Sequence, residues 1–154
     1  MERAKGIKVI AVNRKAAHDY HVLDKLEAGI MLAGSEVKSL REGRINLKGS
    51  HAGISQGEVF LYDCHISEYK QANRQNHDPT RTRKLLLKKG EIKRLLGKTK
   101  EQGLTLVPLR VYFTRNYAKV ELGLCRGKKL YDKRHDLQER QHKRDMERAY
   151  KNRT

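Results

Sequence analysis

Apolar and polar positions along this chain follow two periods, one of two residues and one near 3.6, and they divide most of it into short strands with a few helices between them. Ile7, Val9 and Ala11 alternate with Lys8, Ile10 and Val12. Both sets carry apolar residues, which predicts a strand inside the sheet. Residues 20–26 and 29–33 read as extended stretches interrupted at Glu27-Ala28-Gly29. Runs 52–55 and 58–66 flank Gln56-Gly57, a hairpin turn pair, with Phe60, Tyr62, Cys64 and Ile66 on one face and Val59 and Leu61 on the other. The clearest alternation sets Val107, Leu109, Val111 and Phe113 against Pro108, Arg110, Tyr112 and Thr114. It resumes after Arg115-Asn116 as Val120, Leu122 and Leu124, which predicts an antiparallel hairpin with one buried face. Pro108 donates no ladder hydrogen bond, so its end of the strand is expected at an edge or a bulge.

The longer period appears twice. In 35–43, Ser35 is placed to cap, Glu36 complements the positive helix end and Gly43 to stop a short helix that turns Val37 and Leu40 inward. Ile92, Leu95, Leu96 and Thr99 lie at i, i+3, i+4 and i+7, a stripe on a helix that ends near Gly103. Residues 70–82 hold no apolar side chain but Ala72 and read as a long polar loop. These elements predict a mainly β fold, an OB-like antiparallel barrel with two to three short helices, because closing the sheet removes its exposed edges. The domain is expected over 1–127. Residues 128–154 form a basic tail expected to be disordered when free: a lone helix is marginal in water, and Lys133, Arg134, Arg140, Lys143 and Arg144 repel one another. Leu130 and Leu137, then Met146, Ala149 and Tyr150, would give such a helix only a thin apolar stripe.

Charge changes this picture from a fold to a class of partner. Lysine and arginine number 35 against 18 acids among 154 residues, a formal charge of +17, and a chain of this size with such an excess is built to meet a polyanion. A membrane is the weaker partner, since no apolar run approaches the roughly 20 residues that span a bilayer. The first six residues lack the apolar stretch of a signal peptide, so a cytoplasmic location is expected. Cys64 and Cys125 sit in apolar runs and are expected reduced and buried.

Catalytic and metal signatures fail on spacing. Gly97-Lys98-Thr99 resembles the end of a P-loop, but the first glycine of that loop would fall at Ile92. The seven histidines include no pair at i, i+4 around a glutamate, and Cys64-His65 stands alone, so neither metal nor cofactor is expected. His18-Asp19 and His77-Asp78 offer acid-base chemistry without a third catalytic group, which leaves a small ribonuclease poorly supported. Without a helix-turn-helix, zinc finger or zipper pattern, RNA suits a basic barrel better than DNA does.

Five blocks in order then carry a resemblance: Glu27-Ala28-Gly29-Ile30, the run from Gly34 to Arg41, the run from Pro79 to Leu87, Val107-Pro108-Leu109, and Gly127 through Arg134. Together they resemble the family of SsrA-binding proteins, also called small protein B, the partners of transfer-messenger RNA in bacterial rescue of stalled ribosomes. The resemblance covers nearly the whole chain. It implies an OB-type barrel with appended helices, a monomer without catalytic activity, binding to the transfer-RNA-like part of that RNA, and a tail that enters the decoding region formed by small-subunit ribosomal RNA and folds there.

The RNA-binding residues it implies are Glu27, Gly29, Glu36, Lys38, Arg41, Arg83, Lys84, Leu86 and Lys119. In the ribosome-binding tail they are Gly127, Lys128, Lys129, Tyr131, Asp132, Lys133, Arg134 and His135. Lys38, Arg83, Lys84 and Lys119 can meet phosphates, Arg83 with two parallel hydrogen bonds. Glu27 and Glu36 can accept from guanine edges or ribose hydroxyls, or orient a neighbouring lysine. For Glu36, stabilisation of a helix N-terminus is an equal reading, and Leu86 reads as core by pattern but as RNA-facing by resemblance. A structural ribosomal protein, basic and tailed for the same electrostatic reasons, is the rival from another class.

Overall fold

In the computed structural model the described residues are 6–152, without the side chains of residues 73–75 and 130. The elements run β1 (Ile7–Val12), α1 (Arg14–Asp19), β2 (Tyr20–Ile30), α2 (Gly34–Arg41), β3 (Ile45–Asn46), β4 (His51–Ser55), β5 (Glu58–Tyr62), β6 (His65–Ile66), a 3-10 turn (Lys70–Gln75), β7 (Arg83–Leu86), α3 (Lys89–Gln102), β8 (Thr105–Thr114), β9 (Tyr117–Gly127) and α4 (Leu130–Asn152). The main sheet follows the order β8-β4-β5-β7-β2-β9 and returns to β8, so six antiparallel strands close a barrel. β3 and β6 form a separate short pair.

β1 departs from its expected place. It pairs with β8 alone and lies outside the ring, beside the upper half of a strand whose lower half reaches β4 through Ala52 and Leu106. Apolar residues on both its faces reflect partial cover rather than a central position: Val9 and Val12 stay exposed. β2 is one continuous strand where an interruption is expected, because Ala28 points into the core and Gly29 leaves room for a neighbour.

Turns and bulges set which residues face inward. Gln56-Gly57 and Arg115-Asn116 all have positive φ, at 52°, 75°, 50° and 70°, the twist that tight hairpins favour. A bulge between Pro108 and Arg110 splits the face predicted for β8. Val111 and Phe113 enter the main core, whereas Val107 and Leu109 pack with Ala16 and Cys125 in a small second cluster. Gly123 is bare for this reason: a Cβ there would meet Leu109 Cδ1 at 2.9 Å. Asp63, at φ 57°, performs a similar shift, so that Val59 and Leu61 before it and Cys64 and Ile66 after it all point inward. The single face expected for Phe60, Tyr62, Cys64 and Ile66 is thereby broken.

The helices close the barrel. α3 ends at Gly103 in the left-handed conformation and inserts Leu95, 1% exposed, into the core. α2 starts two residues earlier than expected. Ala33 is its N-cap and Glu36, at the third position, accepts the Ala33 amide at 2.8 Å, while Ser35 instead bonds His77 Nδ1 at 2.8 Å. Cys64 and Cys125 are free thiols, buried, and burial pushes each up to about 11.

The tail carries a helix of 23 residues, α4, whose first turns touch the barrel and whose remainder stands in solvent. Its base is fixed by contacts that the charge pattern alone does not reveal.

Candidate nucleic-acid interface

Register assembles a continuous outer surface across β7, β2, β9, β8 and β1. Leu86 lies opposite Gly29, Gly29 opposite Lys119, Lys119 opposite Tyr112, and Tyr112 opposite Val9. Directly paired residues share a face, so these five form one row. A second row runs Glu27, Glu121, Arg110, Val12. Between them Ala28, Val120 and Val111 point inward. Gly29 has a steric reason, since a Cβ would lie 3.2 Å from Leu86 Cβ. Leu86 is 50% exposed and Leu85 beside it 1%, which settles Leu86 on the outer surface rather than in the core.

The polar groups of this face are interlinked. Tyr112 donates its hydroxyl to Glu27 Oε2. Arg110 Nε donates to Glu121 at 2.9 Å and the guanidinium sits 5.1 Å from the Tyr112 ring centroid. Lys25 Nζ approaches Glu121 at 4.0 Å. Burial, then the bond to Glu27 and the charge of that carboxylate, raise the Tyr112 phenol above its ordinary value. Alternation places Arg110 and Tyr112 on the solvent face in the sequence, but only the cross-strand register shows that they border Lys119 and Glu27.

Arg83 corrects an expectation. Its guanidinium is fully buried, paired with Glu36 Oε2, and donates to the carbonyls of Cys64 at 2.6 Å and Pro79 at 3.1 Å. With its side chain 0% exposed Arg83 cannot reach a phosphate, so it organises the interior instead. Glu36 is 0% exposed and also accepts Arg81 Nη2 at 2.5 Å. It stabilises the start of α2 and aligns two arginines; it cannot reach a base edge. Burial pushes its carboxyl up, but the hydrogen bonds from Arg81, the Ala33 amide and Arg83 outweigh this and hold it below the ordinary range. His77 completes the brace, contacting Ser35 and the Ile66 carbonyl at 2.8 and 2.9 Å, and so anchors the polar loop.

Lys84 shares the outer side of β7 with Leu86, and its Nζ rests 2.8 Å from Glu58. Lys38 and Arg41 are exposed on α2, Lys38 with its ammonium 5.5 Å from the Tyr69 ring centroid.

The tail residues divide in two. Gly127 ends β9 opposite Tyr20, and the next amide, of Lys128, donates to the Asp19 carbonyl at 2.8 Å. Lys128 Nζ reaches the Ala17 carbonyl at 3.1 Å and the Asp136 carboxylate, Lys133 Nζ lies 3.2 Å from Asp19 Oδ1, and His21 lies 3.6 Å from Asp132. Asp132 also accepts the Lys129 amide at 3.3 Å. The hydrogen bond from His18, with Lys133 adding to it, holds the Asp19 carboxyl below its ordinary value against burial. Tyr131, Arg134 and His135 face solvent, the rings of Tyr131 and His135 6.4 Å apart. His135, Asp136 and Glu139 bring possible ligand atoms within 4.8 Å of one another on this exposed surface, but Asp136 already holds Lys128. No described helix is long and apolar enough to cross a membrane.

The family model described as SmpB protein matches residues 10–152. An SsrA-binding protein of Desulfitobacterium hafniense is 60% identical over 148 residues, 96% of this chain and 95% of the relative. One from Carboxydothermus hydrogenoformans is 61% identical over 142 residues, 92% of this chain and 95% of the relative. One from Geobacillus kaustophilus is 56% identical over 153 residues, 99% and 98% of the two chains. A chain of the solved structure described as "tmRNA-SmpB: a journey to the center of the bacterial ribosome" is 54% identical, with a TM-score of 0.66 over 78% of this chain and 85% of that one.

Proposed function

This chain belongs to the SmpB protein family, and from that premise we propose that it binds transfer-messenger RNA and delivers it to stalled ribosomes for trans-translation, as a cytoplasmic, monomeric factor that catalyses no reaction. The observation that carries the reading is the outer row of Leu86, Gly29 and Lys119 with Glu27 beside it. A lysine supplies phosphate attraction, an exposed leucine packed over the bare Gly29 offers an apolar surface to a sugar or base, and a carboxylate accepts hydrogen bonds from RNA donors. Lys84, Lys38 and Arg41 extend the cationic surface, while Glu36 and Arg83 act from beneath it by fixing α2 and β7.

Residues 1–127 are the RNA-binding unit in this reading and 128–154 the ribosome-acting unit. From Leu137 to Asn152 every residue of α4 is exposed. This outer part has little to hold it alone and frays in the free protein, then orders against small-subunit ribosomal RNA in the decoding region, which neutralises its charge. Gly127, Lys128, Lys129, Asp132 and Lys133 set its exit from the barrel, and Tyr131, Arg134 and His135 are the groups turned toward the ribosome.

Two variants test the division. Lys119→Glu weakens binding to a transcript of the transfer-RNA-like part and lowers the salt dependence, because fewer counterions are released. Ending the chain before Lys128 leaves that binding nearly intact and abolishes tagging on stalled ribosomes. Loss of RNA binding on truncation would move the tail into the primary site, and a protein that stays on salt-washed subunits would be a structural component instead.

A further inference from the structure

On the reading that the β7-β2-β9 face carries RNA, we propose that Tyr112 is a positioning residue for Glu27: its hydroxyl fixes the carboxylate so that the remaining oxygen meets an RNA donor in one orientation. The two residues stand on strands that do not touch at this point, since β9 lies between β8 and β2. The contact therefore bridges two interstrand spacings, roughly 10 Å, and needs a long side chain from each end. Tyr112 supplies the longer one. It belongs to the outer row yet is only 3% exposed, roofed in part by the Arg110 guanidinium. A phenol buried to that extent needs a hydrogen-bond partner, and Glu27, itself exposed, provides it.

The arrangement is costly unless the carboxylate has a use. Glu27 lies directly opposite Glu121, and like charges at opposed positions destabilise a sheet. Glu121 is drawn off by Arg110 at 2.9 Å and by Lys25, which leaves Glu27 to the phenol. A second acid on a face that attracts phosphate also weakens that attraction. An ionised carboxylate accepts but never donates, so once fixed it selects for donors such as a guanine edge or a ribose 2′-hydroxyl. Left loose, Glu27 would sample several orientations and meet an RNA donor in only some of them. The phenol prevents this. With its proton held more tightly than usual by burial and by the Glu27 charge, Tyr112 remains the donor throughout the neutral range.

The test uses the full chain and a transcript of the transfer-RNA-like part of transfer-messenger RNA. Tyr112→Phe keeps the ring and removes the donor. It is expected to weaken binding about tenfold, as for a lost hydrogen bond to a charged group, with the slope of log affinity against log salt unchanged because no phosphate contact is lost. Glu27→Gln should cost a similar factor, and the double variant should bind no more weakly than Glu27→Gln alone. Glu27→Asp, too short for the phenol, should behave like Tyr112→Phe and decides the matter if the phenylalanine variant melts early. Wild-type affinity in folded Tyr112→Phe or Glu27→Asp, or losses that multiply in the double variant, would overturn the proposal. Lys119→Glu separates the two levels. If it leaves affinity and salt slope unchanged, the face itself is misassigned; if it weakens binding while Tyr112→Phe does not, only the positioning role fails.

Discussion

Arg83 and Glu36 form an ion pair in which both side chains are 0% exposed, and through it strand β7 is tied to the first turn of α2. Breaking one side of such a pair strands a charge away from water, at a cost of about 3–5 kcal/mol. Glu36→Gln is therefore expected to lower the urea midpoint sharply at constant m-value, and Arg83→Met likewise. The double change to Glu36→Leu with Arg83→Met should cost less than the sum, because it leaves no uncompensated charge.

The same pair gives acid sensitivity a definite sign. Glu36 is held below its ordinary value of 4.5 in the folded protein. Its contribution is fully present above that value and is lost as pH falls through the lower, folded value. Stability measured by denaturant titration should decline below about pH 4.5 in the wild type, and Glu36→Gln should flatten that part of the decline.

Asp19 is the corresponding point for α4. It takes Lys133 at 3.2 Å while its carbonyl takes the Lys128 amide at 2.8 Å. Asp19→Ala removes the first contact and keeps the second. Hydrogen exchange should quicken over residues 129–136 and stay unchanged in β8 and β9. Unchanged exchange at the base of α4 would show that the side chain of Asp19 does not hold the helix.

Gly123 faces Leu109 with a Cβ position only 2.9 Å from Leu109 Cδ1 and 3.0 Å from Cys125 Sγ. Gly123→Ala should destabilise by about 1–3 kcal/mol through overpacking, and Leu109→Ala in the same chain should recover part of it. Thermal melting of the three variants checks this.

Much of the barrel was legible because period-two patterning is strong: the hairpins around Gln56-Gly57 and Arg115-Asn116 and the helix through Leu95 stand where the pattern puts them. What the pattern hides is phase and register. One bulge beside Leu109 and one left-handed residue at Asp63 each exchange inside for outside, and no local signal marks either. Arg83 sits in the run Thr80-Arg81-Thr82-Arg83-Lys84, where every cation looks solvated. Its burial depends on Glu36, 47 positions away. For the candidate site, Lys119, Leu86 and Gly29 could be named through family resemblance, whereas Tyr112 and Arg110 became visible only once β8, β9 and β2 were aligned. The base of α4 was hidden for the same reason: Lys133 reads as a repelling charge until Asp19 is placed beside it.

Whether this basic barrel is built for one RNA and its tail for the ribosome is decided by sequencing the RNA that copurifies with the intact protein and with its Lys119→Glu variant. Strong enrichment of transfer-messenger RNA with the wild type, and its loss with the variant at equal expression, is the expected result. A bound pool that mirrors total cellular RNA, or one that Lys119→Glu leaves unaltered, would contradict it.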